Sequence, residues 1–593
     1  MIASDFEFLS RPSYGKKLKR KLGRVFTFRI VESIFPPLKW IPVYDWRKDL
    51  ASDAMAGLIT GIMLVPQGIA YAFLAGVDPI NGLYSSFFSP FLYFLFGLSP
   101  HVARGPSSVL GVMSQISNQA IRAEVLESGV EIYLSASTIA STLTFTCGII
   151  QILMGIVRFK FLADYFSDAL ISGFVCGAAI HTVISQLSKL FGVKTQPHSG
   201  YFSAFFNLYE LALKYNEYKL QTILLSGCSL TFLMIGKLFL VPWIRRKYHF
   251  VLPVELLLII FTTSLSYFFC WNDSMSIVGS IPSGFPKPQL PVFWLIPHCL
   301  PHALAICSVT VALHFSMTKL FANKFHYSVS LSHELYAIGF GTMISGCFPT
   351  YPTSTALART VVLVESGART LLASGFSAVL VLIVILCVGP LFETLPQCVL
   401  SAIIIVSLKT VFGNFKSVRS LWKADKFDFV IWCLSFIGTL FTNVIIGLGV
   451  GVLTSLFTLI VRIQWPRWSF KIPGDSRFCI FCFESPLLFA NCEHFSESIR
   501  KTLHNWHAVR IQNTEKPNPD LVFVLNCAAM SRLDTMGLQT LRQCVQIVEE
   551  SGVRVQFINV NAHVLKFLAS AELDTHIVDV CTSDLLVHNQ HLN

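Results

Sequence analysis

Long apolar runs alternate with short polar linkers along most of the chain. Runs without charge that are long enough to cross roughly 30 Å of hydrocarbon lie at 54–77, 79–103, 132–157, 169–188, 335–358 and 370–392, and 429–461 is long enough for two crossings. With the shorter runs, the pattern allows about fourteen crossings. It predicts a polytopic α-helical membrane domain over residues 45–465.

Composition supports this assignment. The 593 residues are 53% hydrophobic and 13% charged, whereas soluble domains carry roughly 25% charged residues. The formal net charge of +11 does not indicate a nucleic-acid partner, because the Lys and Arg residues stand at the ends of apolar runs and not on one basic face. We expect membrane lipid around the chain and no nucleic acid.

The linkers predict the topology. Basic linkers alternate with less basic ones, which places the basic residues 1–44 and the C-terminal tail in the cytosol. The opposite linkers include 122–135 and the Pro-rich 271–301, which carries the sequon at Asn272. Asn272 is therefore a predicted glycosylation site, although a chance sequon remains an alternative. The expected location is the plasma membrane, with an endolysosomal membrane as the alternative.

Hydrophobicity falls after Arg462, and residues 468–590 alternate strand-like and helix-like segments. This alternation is typical of a small cytosolic α/β domain. The predicted strands and helices are Phe478–Phe483, Leu521–Leu525, Val553–Ile558, Glu493–His504 and Met536–Glu550, with a polar loop at Gln512–Asp520.

Two apolar stretches are broken inside the predicted membrane. Residues 99–108 and 348–355 are rich in Pro, Ser and Thr, and each is followed by a helical segment, the first beginning near Pro106 and the second reaching Arg359. Half-helices that start within a membrane direct free N–H groups and the positive end of the helix dipole at a central cavity, which favours an anion.

Several side chains near these breaks are candidate anion ligands. An ionised Arg359 within a span usually faces a polar cavity, although a position at the cytosolic interface is the alternative. Pro and Gly are expected to interrupt the first span at Val65–Ala72, where Gln67 and Tyr71 share one helical face. A packing helix kinked by Pro would show the same sequence and is the alternative. The predicted anion-binding residues are Gln67, Tyr71, Pro106, Ser107, Ser108, Thr353, Ser354, Thr355 and Arg359.

No pattern indicates an enzyme, a metal centre or a cofactor. His181 and His314 are isolated in apolar surroundings, where a packed histidine is more common than a metal ligand. Cys479 and Cys482 form one CxxC without a second pair, which favours a buried strand over a zinc or redox site.

The chain resembles the sulfate permease (SulP) family and its solute-carrier anion exchangers. The resemblance is carried by GIMLVPQGIAYAFLAG at 61–76, GLYSSFF at 82–88, Gly105-Pro106, Glu334–Gly339 and Arg359-Thr360. The tail resembles a STAS domain through Leu525–Ala528 and Leu533–Leu538, in which Thr535 matches a phosphorylated Ser of bacterial members. The pattern Tyr351-Pro352 with Arg359-Thr360 is most similar to the sodium-independent sulfate transporter branch.

The resemblance implies a fold and a mode of action. It implies two inverted repeats of seven spans in core and gate subdomains, a homodimer and elevator-like alternating access. It also implies that Gln67, Tyr71, Pro106, Ser107 and Arg359 surround the anion. At Asp534 and Thr535 a structural role as helix N-cap is the preferred interpretation.

Three departures modify the expected site. Leu313, with His314 adjacent, replaces a Glu that in many relatives is a candidate for proton coupling. Arg104 replaces an apolar residue, so it either adds positive charge to the site or points away. Ala356 and Ala358 replace Ser of some relatives.

The sequence thus predicts a secondary active transporter or exchanger of small inorganic anions, with sulfate, chloride, bicarbonate and oxalate as candidates. The alternative is an uncoupled anion channel, or a voltage-sensitive membrane protein that signals through its STAS domain. A nucleobase carrier is disfavoured, because such a carrier is expected to place carboxylates at its site.

Overall fold

A computed structural model describes ten segments of the chain, which are 36–127, 134–157, 167–195, 201–248, 253–269, 271, 274–442, 444–473, 477–513 and 521–577. Residues 1–35, 128–133, 514–520 and 578–593, and the predicted glycosylation site Asn272, lie outside them. The chain forms two compact units, Met1–Ser455 and Leu456–Asn593.

The described residues of the first unit are mainly helical, and the last of their helices extends past Ser455 to Gln464. In chain order the helices are α1 (Pro37–Trp40), α2 (Leu50–Ala75), α3 (Pro79–Phe96), α4 (Ser108–Glu127), α5 (Ala136–Ile156), α6 (Asp168–Phe191), α7 (Ser203–Leu213), α8 (Leu220–Ile235), α9 (Val241–Tyr248), α10 (Val254–Phe268), α11 (Ile296–Lys324), α12 (Leu331–Ser345), α13 (Leu357–Glu365), α14 (Leu372–Ile383), α15 (Gln397–Ser407), α16 (Lys409–Phe412), α17 (Phe415–Ala424), α18 (Lys426–Phe441) and α19 (Val444–Gln464).

Within the described segments, six helical stretches are long and apolar enough to cross a membrane. They are Leu50–Ala75, Ala136–Ile156, Asp168–Phe191, Leu220–Ile244, Phe293–Lys324 and Val444–Gln464, and α10, α14 and α15 belong to shorter apolar helices. The run 429–461 divides between α18 and α19, as its length predicted.

Helix α2 differs from its prediction. Pro66 lies inside a continuous helix that extends to Ala75 and ends on Gly76, which adopts the left-handed conformation with φ of 69°. The expectation that Pro and Gly interrupt the first span was therefore wrong, and the alternative of a packing helix that contains Pro is the one observed. Pro66 removes one backbone donor, but packing against neighbouring helices holds the remaining turns in helical geometry, and Gly68 there allows α3 to approach closely.

The two broken stretches form a pair of short strands. Strand β1 (Arg104–Gly105) pairs antiparallel with β2 (Ser354–Thr355), so that Arg104 lies opposite Thr355 and Gly105 opposite Ser354. This pairing satisfies backbone groups that hydrocarbon cannot satisfy. Each strand leads into a helix, β1 into α4 and β2 into α13. The first helix begins two residues after Pro106, and Arg359 lies in the first turn of α13 and not at its end.

The second unit is an α/β domain. Its elements are β3 (Trp468–Lys471), β4 (Phe478–Phe483), α20 (Cys492–Asn513), β5 (Val522–Asn526), α21 (Thr535–Glu550), β6 (Arg554–Ile558) and α22 (Ala562–Ser570). The sheet order is β3-β4-β5-β6, antiparallel for the first pair and parallel for the others. Strand β3 was missed in the sequence, because it alternates half-buried with exposed residues and carries little hydrophobic signal.

The tail helix α21 begins as the sequence predicted. Asp534 is its N-cap, and its carboxylate accepts a hydrogen bond of 2.7 Å from the backbone N–H of Gly537. A second carboxylate oxygen accepts from the N–H of Phe489 at 2.8 Å. Of the two candidate caps, Asp534 and not Thr535 therefore supplies the capping side chain.

Candidate functional site

A cavity of about 170 Å³ lies where the two half-helices begin. Ser107, Ser108 and Val109 line it from the start of α4, and Ala356 to Arg359 line it from the start of α13. Because the first N–H groups of a helix lack partners within that helix, both helices direct donors and positive dipole ends toward the same space. The backbone alone makes this cavity attractive to an anion.

Arg359 adds a full positive charge to the cavity wall. Its side chain is completely buried, so the alternative in which it extends to a membrane surface does not apply. Nη1 donates to Oε1 of Gln67 at 3.0 Å and to the carbonyl oxygen of Pro106 at 3.1 Å. Nε and Nη2 are buried and find no partner among the described residues.

Those two nitrogen atoms are donors that a ligand in the cavity could satisfy. A buried donor without a partner costs roughly 1–3 kcal/mol, and more when it is charged. The hydroxyl of Ser107, which also lines the cavity, is likewise buried and lacks a partner within the described part of the chain. Three unsatisfied donor groups therefore surround one small cavity.

Helix α2 supplies two further lining residues. Gln67 holds the guanidinium of Arg359, as described above, and Tyr71 lies one turn later on the same face. The hydroxyl of Tyr71 is 3.2 Å from Oγ of Ser407 at the end of α15. This hydrogen bond joins α2 to α15 at the cavity wall.

The structure separates some predicted residues from the cavity. The side chain of Thr353 donates to Ser89 at 3.0 Å, and Ser354 pairs with Gly105 in the strand ladder. Pro106 contributes only its carbonyl oxygen, as the acceptor for Arg359. Of the predicted anion-binding residues, Gln67, Tyr71, Ser107, Ser108, Thr355 and Arg359 line the cavity.

Arg104 points away from the cavity, which is the second of the two outcomes considered for it. It is buried, and Nη2 donates to the carbonyl oxygen of Thr353 at 3.3 Å. Its charge interacts with that of Glu334 behind the strand pair. Arg104 therefore adds positive charge close to the site without lining it.

Leu313 lines the cavity, while the adjacent His314 lies behind the wall. Nε2 of His314 is 3.0 Å from Oε2 of Glu334, and Nδ1 is 2.8 Å from Oγ1 of Thr355. Both His314 and Glu334 are completely buried. Sequence reasoning left His314 without a partner, yet the presence of two ionisable residues in neighbouring apolar segments was a signal that they pair.

Three polar lining residues were missed in the sequence. Ser172 on α6, Ser407 on α15 and Asn414 before α17 line the cavity. Each is a single polar residue in an ordinary apolar or linker segment, and such residues usually hydrogen-bond their own helix. No local signal distinguished them.

The cavity wall is positively charged. Arg359 is the charged lining residue, and no carboxylate occurs among the described residues that form the wall.

The histidine His181, which the sequence assigned to packing, makes a hydrogen bond of 2.8 Å to the carbonyl oxygen of Thr439. The described segments contain no group of three or more His, Cys, Asp or Glu side chains that could hold a metal ion.

Comparison with known proteins matches both units. Residues 50–435 match the sulfate permease family, and residues 469–584 match the STAS domain. The chain is 30% identical to sulfate permease family protein 3 of Caenorhabditis elegans, over 89% of this chain and 80% of that protein. It is 31% identical to the sulfate transporter of Rattus norvegicus, over 93% and 83%.

A solved structure has the same architecture. The chain is similar to murine solute carrier 26 family member A9, an anion transporter in the inward-facing state, with a TM-score of 0.80 and 25% identity over 93% of each chain. The expected fold class, a polytopic α-helical membrane protein followed by an α/β STAS domain, is confirmed.

Proposed function

Because the chain belongs to the sulfate permease family of membrane anion transporters, and is not an enzyme, we propose that it exchanges small inorganic anions by elevator-like alternating access. The anion binds in the cavity between the starts of α4 and α13, beside Arg359. Sulfate, chloride, bicarbonate and oxalate are the candidate substrates.

The observation that carries this proposal is the state of Arg359. Its guanidinium is completely buried, it is held on one side by Gln67 and Pro106, and two of its nitrogen atoms have no partner among the described residues. An anion at these nitrogens would both satisfy them and balance the buried charge. Fixing Nη1 by two hydrogen bonds leaves the rest of the guanidinium preorganised for this ligand.

The surrounding groups favour an anion over other substrates. Two helix N-termini contribute roughly 0.3–2 kcal/mol each toward a negative ligand. A cation or a nucleobase would require acceptors or carboxylates, and the described cavity wall carries no carboxylate. The nucleobase alternative therefore remains disfavoured.

The composition of the cavity wall supports alternating access. We assign α2, α4, α11 and α13 to one side of the cavity, and α6, α15, α16 and the segment before α17 to the other. The Tyr71 to Ser407 hydrogen bond joins the two sides. Movement of the first group of helices past the second would carry the site across the membrane, as core and gate subdomains do in the elevator mechanism.

We propose further that the protein works as a homodimer in the plasma membrane with cytosolic termini. The alternation of basic linkers supports this orientation. Use of the sequon at Asn272 requires the linker 271–301 to face the opposite side, so glycosylation of that residue is part of the same proposal.

The function is tested with purified protein in proteoliposomes. Radiolabelled sulfate uptake is measured with sulfate, chloride or a large organic anion inside, alongside the current under voltage clamp of the same protein in a planar bilayer. If the protein is an exchanger, sulfate uptake is saturable and is faster with sulfate or chloride inside than with the large organic anion inside. A sulfate-dependent current without stimulation by internal anion would instead support the uncoupled channel, and absence of saturable uptake would contradict transport.

A further inference from the structure

Behind the cavity wall, His314 connects a buried carboxylate to a hydroxyl of the site. Its Nε2 lies 3.0 Å from Oε2 of Glu334, and its Nδ1 lies 2.8 Å from Oγ1 of Thr355. Thr355 also lines the cavity. The imidazole thus joins Glu334, which does not line the cavity, to Thr355, which does.

The contacts of Glu334 fix the hydrogen on Nε2. Its Oε1 accepts from the backbone N–H of Leu98 at 3.2 Å and of Ser99 at 3.0 Å, and both oxygens are within 3.3 Å of the Tyr93 hydroxyl, which donates. Since these neighbours all donate, Glu334 acts as an acceptor toward His314 as well, and Nε2 carries hydrogen.

Nδ1 is then the position where the two charge states of His314 differ. In the neutral imidazole Nδ1 has no hydrogen, so it accepts the O–H of Thr355 and the hydroxyl hydrogen points away from the cavity. In the imidazolium Nδ1 carries hydrogen and donates to Oγ1, so the hydroxyl hydrogen of Thr355 is released.

We propose that protonation of His314 turns the Thr355 hydroxyl into a hydrogen-bond donor for the bound anion, so that anion binding is linked to one proton. This inference rests on the proposed function of the same site. His314 acts as a positioning residue: it does not contact the anion, and it decides whether Thr355 can donate to it. By reciprocal linkage, anion binding then increases proton uptake at His314.

The proton reaches Nδ1 through the hydroxyl itself. A hydronium ion in the cavity gives a proton to Oγ1 of Thr355 and becomes water, while the hydroxyl passes its own hydrogen to Nδ1. The imidazole gains one proton, the hydronium ion loses one, and the hydroxyl again carries one hydrogen, now directed at the cavity. The charge gained lies next to the carboxylate of Glu334, which compensates it.

Other charged and titratable groups near His314 are few in the described structure. The ring of Tyr93 on α3 meets the imidazole edge-on at 5.6 Å, and Arg104 on β1 interacts electrostatically with it. Tyr327 reaches Ser99 beside Glu334. On the same helix, His298 pairs with Glu124 of α4, but it lies sixteen residues away, roughly 24 Å along α11.

The test measures KM for sulfate and for chloride in proteoliposomes with the same pH on both sides, between about pH 8 and about pH 5.5, the range in which imidazoles titrate. One extra hydrogen bond to a charged ligand predicts that KM falls on the order of tenfold at the lower pH. Neither anion changes its own protonation in this range.

The variants separate His314 from other causes. His314→Gln keeps a donor toward Glu334 but cannot titrate, so its KM is expected to be independent of pH. Thr355→Val is expected to lose the pH response, while Thr355→Ser keeps it. His298→Gln, on an exposed part of α11, is the matched control and keeps the wild-type response.

Two outcomes overturn the inference: a wild-type KM that is the same at both pH values, or a His314→Gln variant with the wild-type pH response. If His314→Gln does not fold, the comparison of Thr355→Val with Thr355→Ser decides in its place. Absence of saturable uptake at either pH contradicts the proposed function itself and is distinguishable from both.

Discussion

The guanidinium of Arg359 donates a hydrogen bond of 3.1 Å to the carbonyl oxygen of Pro106, 253 residues earlier in the chain. Pro106 belongs to the first broken stretch and Arg359 to α13, the helix that follows the second, so this contact joins the two regions. The space beside Arg359 is narrow as well, because a Cβ on Gly105 would lie 3.1 Å from Nη2. The anion site is thus built from both stretches at once.

Gln67 is expected to control the charge of the site. Gln67→Glu places a carboxylate where Oε1 now accepts from Nη1 of Arg359 at 3.0 Å, and an ion pair would replace the anion as the partner of the guanidinium. We predict that KM for sulfate rises by about 10- to 100-fold, as expected for roughly 1.5–3 kcal/mol. Gln119→Glu, exposed on α4, is the control and should leave KM unchanged; equal KM values for both variants would contradict the role of Gln67.

Tyr71 and Ser407 are predicted to be coupled. Their hydroxyl groups lie 3.2 Å apart and join the two sides of the cavity. In a double-mutant cycle with Tyr71→Phe and Ser407→Ala, the effects on the uptake rate should be non-additive by about 0.5–1.5 kcal/mol. Fully additive effects would mean that this hydrogen bond does not form during transport.

Helices α2 and α3 pack so closely at Gly82 that a side chain there is expected to prevent their contact. A Cβ there would collide with the backbone carbonyl of Gly68, and backbone cannot move aside as a flexible side chain can. We predict that Gly82→Ala destabilises the protein by at least about 1–3 kcal/mol, measured by thermal unfolding in detergent. Gly227→Ala is the matched control, because a Cβ at Gly227 meets nothing within 4 Å; similar melting temperatures for the two variants would contradict the packing.

The CxxC of the STAS domain is predicted to be unreactive at its first cysteine. Burial raises the pKa of the Cys479 thiol to about 12. The thiolate, which is the form that reacts with alkylating reagents, is therefore scarce at pH 8. In the native full-length protein, peptide mapping should find Cys479 unmodified by iodoacetamide at pH 8 and modified after denaturation. Rapid native alkylation of Cys479 would revive the redox or metal interpretation of the motif.

The membrane helices and much of the cavity could be predicted from the sequence, because each has a strong signal in its own local segment. Apolar length located the spans, and the interruption of apolar runs by Pro, Ser and Thr located the starts of α4 and α13. Arg359 follows the second interruption, and an ionised arginine inside a membrane span usually faces a buried polar cavity.

The remaining features depend on tertiary contacts that have no local signal. Ser407 and Asn414 are ordinary residues until α15 packs beside α2, and Thr353 turned to Ser89 although its neighbour Thr355 reaches the cavity. Likewise, Pro66 resembled an interruption because local propensity disfavours Pro in a helix, and packing overrides that preference in α2.

Saturable sulfate uptake by Arg359→Ala in proteoliposomes tests the anion site most directly, and Arg542→Ala, at an exposed arginine of α21, is the control. Size-exclusion profiles and thermal unfolding establish that both variants are folded. We predict that Arg359→Ala loses saturable uptake and that Arg542→Ala keeps the wild-type KM. A folded Arg359→Ala variant with undiminished saturable uptake would contradict the assignment of the anion site.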